Sequence, residues 1–226
     1  MTAHTSKDFA TELRTLRERL ATMGERAQDQ IVLAMRAFSE RDDELARKVI
    51  ANDATIDRDE CEIDEIALQI LATRQPVATD LRFITMSLKF VIDLERIGDL
   101  ASGVAKRALE LTPLPALDSR ADLSKLAALV QKNLRAALDA FVKRDATAAT
   151  AVITADIEID RLNASIFAEL IAHVATDPAT VTRVLPLTSV CRYLERIGDH
   201  VKNLAEEVVY MVHATDIRHR PFVPAN

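Results

Sequence analysis

The hexapeptide Leu-Glu-Arg-Ile-Gly-Asp occurs twice in this sequence of 226 residues, at positions 94–99 and 194–199. Each copy places a Glu and an Asp four residues apart, as Glu95 and Asp99 and as Glu195 and Asp199. Residues four apart share one face of an α-helix, so each pair brings two negative charges together. Such a pair repels itself unless a metal ion or a basic group lies beside it.

A second set of acidic pairs has the same spacing and precedes each hexapeptide. Asp53 and Asp57 come before the first copy, and Asp156 and Asp160 before the second. A short turn at Pro76 would make the two helices of the first half antiparallel neighbours, so that both pairs converge on one patch. Four carboxylates form an oxygen-rich site, which suits Mg²⁺, Mn²⁺, Ca²⁺ or iron better than a metal that prefers thiols.

The second half offers two further ligand types. His200 and Asn203 follow the second hexapeptide, where the first half has Leu100 and Gly103. An imidazole and an amide at the rim favour the second half as the better metal site. The predicted metal ligands are therefore Asp53, Asp57, Glu95, Asp99, Asp156, Asp160, Glu195, Asp199, His200 and Asn203.

A structural interpretation of the same carboxylates stays open. Arginines lie within these segments, and carboxylates on long helices commonly pair with arginine or face water. The arginines are Arg58, Arg96, Arg161 and Arg196. A duplication also copies structural salt bridges, so residue physics alone leaves metal binding and ion pairing equally supported.

The hexapeptide belongs to a longer internal duplication. Ala37-Phe38, Arg41-Asp42 and Ile56-Asp57-Arg58 recur 103 residues later, whereas the hexapeptide recurs after 100. About three residues have therefore been lost from the second half, and the turns near Pro76 or Pro178 are where a deletion is tolerated.

Composition and periodicity predict an all-α fold of two homologous antiparallel three-helix bundles in tandem. The chain has only 4 Gly, no Trp and 4% aromatic residues, as is typical of long helices. Apolar residues from Leu13 to Ala34 follow the three-and-four spacing of a buried helical stripe. Later helices are predicted near 42–74, 79–111, 122–143, 145–176 and 178–214, with Pro186 able to kink or delay the last one. The predicted units are a first bundle (1–111), a linker (112–119), a second bundle (120–215) and a loosely ordered tail (216–226).

Several functional classes are disfavoured by the sequence. The net charge is -6 and no long basic run occurs, which argues against nucleic-acid binding. No signal peptide or spanning segment is recognisable, so we expect a cytoplasmic protein that reaches a membrane only by way of partners. Cys61 and Cys191 are expected to be buried, reduced thiols. The phosphate-binding loops and nucleophile motifs of enzymes are missing, so the chain is predicted not to be an enzyme.

The duplicated pattern resembles the PhoU family of phosphate-uptake regulators over nearly the whole chain, from about Phe9 to Val212. The segment 74–82 (RQPVATDLR) looks like that family's first-half turn, and 195–206 (ERIGDHVKNLAE) looks like its second-half signature. Where many relatives carry Asn after the first motif, this chain has Gly103, so the first-half site is expected to be poorer in ligands.

The resemblance implies a homodimer without catalytic activity that carries surface clusters of divalent or trivalent metal ions, such as iron, manganese, zinc or magnesium. It also implies a regulator of phosphate uptake that represses the phosphate-starvation response by linking the ATPase subunit of the phosphate ABC transporter to a sensor histidine kinase. The alternative is a carboxylate-bridged di-iron oxidase or metal-storage bundle. Such bundles use Glu-x-x-His pairs, and this sequence contains none.

Overall fold

The computed structural model describes residues 2–117 and 121–217, and these residues form six long α-helices and no strand. The helices are α1 (Thr2–Glu40), α2 (Asp43–Arg74), α3 (Ala78–Leu111), α4 (Leu123–Lys143), α5 (Ala146–Thr176) and α6 (Val181–His213). Helices α1–α3 form the first bundle and α4–α6 the second. The all-α, tandem-bundle prediction is confirmed. Residues 118 and 119 of the predicted linker and 218–226 of the predicted tail lie outside the described part.

Short acidic caps explain why the helix boundaries were predictable. Asp42 accepts a hydrogen bond from the backbone N–H of Leu45, and Asp122 does the same for Lys125. Asp145 caps α5 through the N–H groups of Thr147 and Ala148. Such side chains satisfy backbone donors that the first helical turn leaves unpaired.

The turns between the second and third helices of each bundle differ in length, as the repeat arithmetic predicted. Three residues, 75–77, connect α2 to α3. In the second bundle only Asp177 separates α5 from a short 3-10 helix, Pro178–Thr180, which leads into α6. Helix α6 therefore begins before Pro186, and this proline lies inside the helix and does not delay its start.

The two bundles pack against each other through α3 on α6 and α1 on α4. Phe141 of α4 stacks on Phe90 of α3, with ring centroids 4.5 Å apart. Buried apolar side chains from both bundles form one continuous cluster. The halves therefore share a core, and burial of this shared surface holds them together.

The two cysteines differ in exposure, and the helices differ from membrane-spanning segments. The prediction that both cysteines are buried is wrong for Cys61, which is exposed, because it lies on the outer face of α2; Cys191 is buried. None of the helices in the described range combines the length and the apolarity needed to cross a lipid bilayer.

Candidate metal-binding patches

The first patch lies between α2 and α3 and consists of Asp53, Asp57, Glu95 and Asp99. Burial raises the pKa of Asp53 above its usual range, and the nearby charges of Asp99 and Asp57 raise it further. Burial also raises the pKa of Glu95, with the charges of Asp99 and Asp57 adding to the effect. Both acidic pairs therefore meet across the helix boundary, where their negative charges repel one another.

The second patch lies between α5 and α6 and consists of Asp156, Asp160, Glu195 and Asp199. Burial raises the pKa of Asp156, Glu195 and Asp199. The charge of Asp160 acts in the same direction on all three carboxyls. The arrangement of the first patch thus recurs in the second bundle.

The glycine of each hexapeptide allows the patch helices to approach closely. A Cβ atom on Gly98 would lie 2.8 Å from Ile56 Cδ1 and 3.5 Å from Asp53 Oδ1. A Cβ atom on Gly198 would lie 3.2 Å from Ile159 Cγ2. The absence of a side chain on Gly98 therefore lets α2 approach α3 closely, with the Asp53 carboxylate against α3.

Glu60 also belongs beside the first patch, although sequence reasoning missed it. Burial raises its pKa, and the charges of Asp57 and Asp99 contribute. The available signal was its position three residues after Asp57, on the same helical face. Asn163 stands at the equivalent position of the second bundle and accepts a hydrogen bond from Cys191 Sγ at 2.7 Å.

Basic side chains take part in both patches. Arg96 Nη1 lies 3.2 Å from Asp99 Oδ2, and Arg96 Nε lies 3.4 Å from Glu95 Oε2, with the Arg96 side chain 53% exposed. In the second patch Lys202 Nζ lies 3.2 Å from Asp156 Oδ2, a contact that the sequence did not reveal. Ion pairing is therefore present in both patches.

His200 and Asn203, which were predicted at the rim of the second patch, form hydrogen bonds with the first bundle. The charge of His200 also acts on Asp199 of the patch. Asp93 of α3 accepts hydrogen bonds from His200 Nδ1 at 2.6 Å and from Asn203 Nδ2 at 3.1 Å. His200 is adjacent to Asp199, and Asn203 follows it by one helical turn, so both lie where α6 faces α3. They connect the two bundles through Asp93, and their predicted role as metal ligands stays a prediction.

Gly103 has a packing role that its position in the repeat did not indicate. A Cβ atom there would lie 3.0 Å from Cε2 of Tyr193, so the tyrosine ring covers the place of a larger side chain. The equivalent Asn203 binds Asp93, so this position contributes to the contact between the bundles in both halves.

The donor atoms of the two patches suit a hard cation. Carboxylate oxygens are the preferred ligands of such ions, and a cation would relieve the repulsion that raises the pKa of these acids. Across residues 2–117 and 121–217, however, no three His, Cys, Asp or Glu side chains are arranged as a ready-made metal group. The chemistry of the patches fits a metal, and their ligand roles stay a prediction.

Arg74, the last residue of α2, pairs with an acid of the first helix. Glu12 of α1 accepts hydrogen bonds from Arg74 Nε at 2.8 Å and from Arg74 Nη2 at 2.6 Å. These bonds lower the pKa of Glu12. The bidentate pair ties α1 to the end of α2 and occupies the Nε/Nη2 edge of this guanidinium.

Comparison with known proteins points to one family. The family model described as the PhoU domain matches the chain twice, over residues 20–108 and 123–208. The phosphate-specific transport system accessory protein PhoU homolog of Pseudomonas aeruginosa is 42% identical over 224 residues, which cover 97% of this chain and 91% of the relative. PhoU of Escherichia coli is 33% identical and covers 96% of this chain and 90% of its own length.

Solved structures agree with the sequence matches. The crystal structure of PhoU from Pseudomonas aeruginosa superposes with a TM-score of 0.89 at 41% identity, covering 92% of this chain and 100% of that one. The phosphate transport system regulatory protein PhoU from Streptococcus pneumoniae gives a TM-score of 0.86 at 26% identity, covering 92% and 99% of the two chains. The likeness therefore extends over both bundles.

Proposed function

Because this chain belongs to the PhoU family, we propose that it is an accessory regulator of phosphate transport. Its relatives are named as accessory proteins of the phosphate-specific transport system, and the match spans nearly all of both chains. A match of this extent supports transferring the role of the whole protein to this chain.

The finer form of the proposal is an adaptor in the cytoplasm. The protein, as a homodimer, would contact the ATPase subunit of the phosphate ABC transporter and a sensor histidine kinase, and so keep the starvation response off when phosphate is plentiful. Exposed apolar side chains support docking to proteins: Val77 beside α3 is 74% exposed and Leu185 on α6 is 60% exposed. Contact with the membrane would come by way of the transporter.

The proposed role is without catalysis. The patches combine carboxylates with arginine and lysine. The hydroxyl of Ser102 lies beside Asp53, but Ser102 is fully buried, so a substrate has no access to it as a nucleophile. Burial raises the pKa of the Cys191 thiol to about 11, so this thiol stays protonated at neutral pH. The chemistry of the site therefore favours binding over bond breaking.

The two patches would hold the metal ions of this adaptor. One observation supports metal binding: four carboxylates lie near one another in each patch, and burial and mutual repulsion raise the pKa of several of them. Divalent or trivalent ions such as iron, manganese, zinc or magnesium would be bound by Asp53, Asp57, Glu95 and Asp99 and by Asp156, Asp160, Glu195 and Asp199. A bound ion would supply positive charge that draws the two helices of a patch together.

The regulatory role is tested in a strain that lacks this gene. In high phosphate, we expect the deletion to switch on starvation genes and alter phosphate uptake, and the wild-type gene to restore both. Glu18→Gln, which changes an exposed i,i+4 ion pair on α1, serves as the expression-matched control and should restore both equally well. Normal uptake and normal starvation-gene expression in the deletion strain would refute the proposal.

The finer claims are tested separately. The tagged protein should co-purify with the transporter ATPase or the sensor kinase from cells grown in high phosphate, and less so from starved cells. Metal content of the purified protein should fall in Glu95→Ala/Asp99→Ala and in Glu195→Ala/Asp199→Ala. Equal metal content in the wild type and both variants would exclude the patches as metal sites.

A further inference from the structure

The second patch already contains a cation that belongs to the protein. Lys202 extends from α6 so that its Nζ atom lies 3.2 Å from Oδ2 of Asp156. Asp156 is 3% exposed, so this ion pair joins a buried carboxylate to an ammonium that is partly open to solvent. Coulombic attraction is strong at such a position, because little water lies between the charges to screen it.

The first patch has no matching ion pair. The residue equivalent to Lys202 is Ser102, which is fully buried and carries no charge. The nearest lysine is Lys106, one turn further along α3, and its positive charge lowers the pKa of Asp53. Lys106 is exposed and forms no ion pair with Asp53 in the part of the chain that the structure describes. The half-buried carboxylate of Asp53 has the uncharged hydroxyl of Ser102 beside it and is therefore not neutralised by an ion pair.

Other charges near the patches do not reverse this difference. Arg96 and Arg196 occupy equivalent positions, so each hexapeptide contributes one guanidinium. Arg96 binds Glu95 and Asp99 at the exposed rim, where a solvated side chain moves away at low cost. Glu60 adds a fifth carboxylate to the first patch where the second has Asn163, and Glu206 lies near Lys202. The ammonium on Asp156 is the contact that the two patches do not share.

We propose that the two patches are unequal metal sites. The first patch takes a metal ion directly from solution, whereas the second patch is already occupied by the ammonium group of Lys202. This inference rests on the metal-binding part of the proposed function. A metal ion entering the second patch has to displace the ammonium from Asp156, so binding there is weaker by the strength of that ion pair. Lys202 acts as a positioning residue, whose ion pair with Asp156 joins α6 to α5 when no metal is bound.

The test is a titration of the metal-free protein with Mn²⁺. Calorimetry measures the heat of binding, and electron paramagnetic resonance measures the concentration of free Mn²⁺. Glu95→Gln/Asp99→Asn and Glu195→Gln/Asp199→Asn assign each class of bound Mn²⁺ to a patch. The wild type should show one class of tightly bound Mn²⁺. The first-patch variant, Glu95→Gln/Asp99→Asn, should lose this class, and the second-patch variant, Glu195→Gln/Asp199→Asn, should keep it. Lys202→Met, which keeps the length of the side chain and removes its charge, should tighten binding at the second patch by at least about tenfold.

Lys106→Met provides the matched control, since it removes a lysine from the other bundle that makes no ion pair with its patch. It should change binding at the first patch by less than about threefold, because an exposed charge is screened. Thermal melts with and without Mn²⁺ give a second measurement and show whether each variant is folded. Mn²⁺ should raise the Tm of Lys202→Met more than that of the wild type.

The possible outcomes distinguish the inequality of the two patches from metal binding itself. Equal Mn²⁺ affinity at the two patches of the wild type, or a tight class that is lost in the second-patch variant, would overturn the inference and leave metal binding intact. Unchanged second-patch affinity in a folded Lys202→Met protein would also overturn it. If no form of the protein bound Mn²⁺, the metal-binding part of the proposed function would fail and this inference with it.

Discussion

His200 of α6 and Asp93 of α3 form a hydrogen bond across the boundary between the two bundles, with 2.6 Å between Nδ1 and Oδ1. Asp93 is 9% exposed and also accepts a bond from Asn203. A carboxylate can only accept, so the imidazole carries its proton on Nδ1. Two residues from the second signature motif thus converge on a single acid from the first bundle.

Replacing Asp93 should loosen this contact between bundles. Asp93→Asn keeps the shape and removes the charge that strengthens both bonds, so we expect the free energy of unfolding to fall by about 1–3 kcal/mol. Asp99→Asn is the matched control, since it removes an exposed acid from the same helix and relieves repulsion. Urea denaturation measures both variants. Equal stability of the two would mean that the Asp93 contacts add nothing to the packing of the bundles.

The pairing of Gly103 with Tyr193 predicts a reciprocal rescue. Gly103→Asn should destabilise the protein by about 1–3 kcal/mol, because its side chain would overlap the tyrosine ring. Combining it with Tyr193→Asp rebuilds, at the equivalent place, the pair formed by Asn203 and Asp93. The double variant should lose at least about 1 kcal/mol less than the sum of the single variants. Additive losses in urea denaturation would show that the two positions do not contact each other.

The hexapeptide glycines should tolerate alanine unequally. Alanine gains about 1 kcal/mol of helix propensity over glycine, whereas overpacking a core costs about 1–3 kcal/mol. The clash is closer at Gly98, where a Cβ atom would lie 2.8 Å from Ile56, than at Gly198, where it would lie 3.2 Å from Ile159. Thermal melts should rank Gly98→Ala below Gly198→Ala, and the reverse order would contradict the geometry.

The patches should make the metal-free protein more stable in weak acid. Asp53, Glu95, Asp156, Glu195 and Asp199 have raised pKa values in the folded chain, chiefly because of burial. A carboxyl with a higher pKa when folded binds its proton more tightly in that state, so stability falls as the pH rises through the folded pKa. We therefore expect Tm to rise as the pH is lowered from neutral towards the ordinary carboxyl range, about 4 to 4.5.

One carboxyl with a lowered pKa limits this pH effect, and a variant of the second patch tests it. Glu12 acts in the opposite sense, because its hydrogen bonds with Arg74 lower its pKa, so its contribution is lost as the pH falls through that lowered value. Glu195→Gln/Asp199→Asn should flatten the slope near neutral pH, since two of the raised carboxyls are gone. A slope that is the same in the wild type and this variant would show that the second patch does not set it.

The two cysteines should differ in reactivity towards a thiol reagent. Cys61 is exposed on α2, whereas Cys191 is buried with a thiol pKa of about 11. Ellman's reagent should therefore label one thiol per native chain and two in urea. Cys61→Ser should abolish labelling of the native protein. Two reactive thiols in the native wild type would contradict the burial of Cys191.

Local features explain what could be predicted from the sequence. Asp42, Asp122 and Asp145 cap their helices within three residues, so the boundaries follow from adjacent residues. The two patches were predictable because four-residue spacing fixes a helical face and a short turn fixes the neighbouring helix. Repetition in the second half strengthened both conclusions.

The features that were missed depend on contacts between distant residues. His200 and Asn203 bind an acid more than 100 positions away, and helical spacing alone does not say which neighbour a face will meet. Lys202 was also missed, although comparing it with Ser102 in the aligned repeats would have revealed an unequal charge. Glu60 was overlooked because its counterpart Asn163 breaks the repeat.

The contact between α3 and α6 is pseudo-symmetric with respect to the two halves of the chain. Position 93 meets position 203, and position 103 meets position 193, so each contact has a counterpart in which the two halves exchange places. A single three-helix unit associating with a copy of itself would contain one such contact twice. In this chain the two contacts differ in chemistry: one joins Asp93 to Asn203 and His200, and the other packs Gly103 against Tyr193. A substitution at one contact is therefore not equivalent to the same substitution at the other.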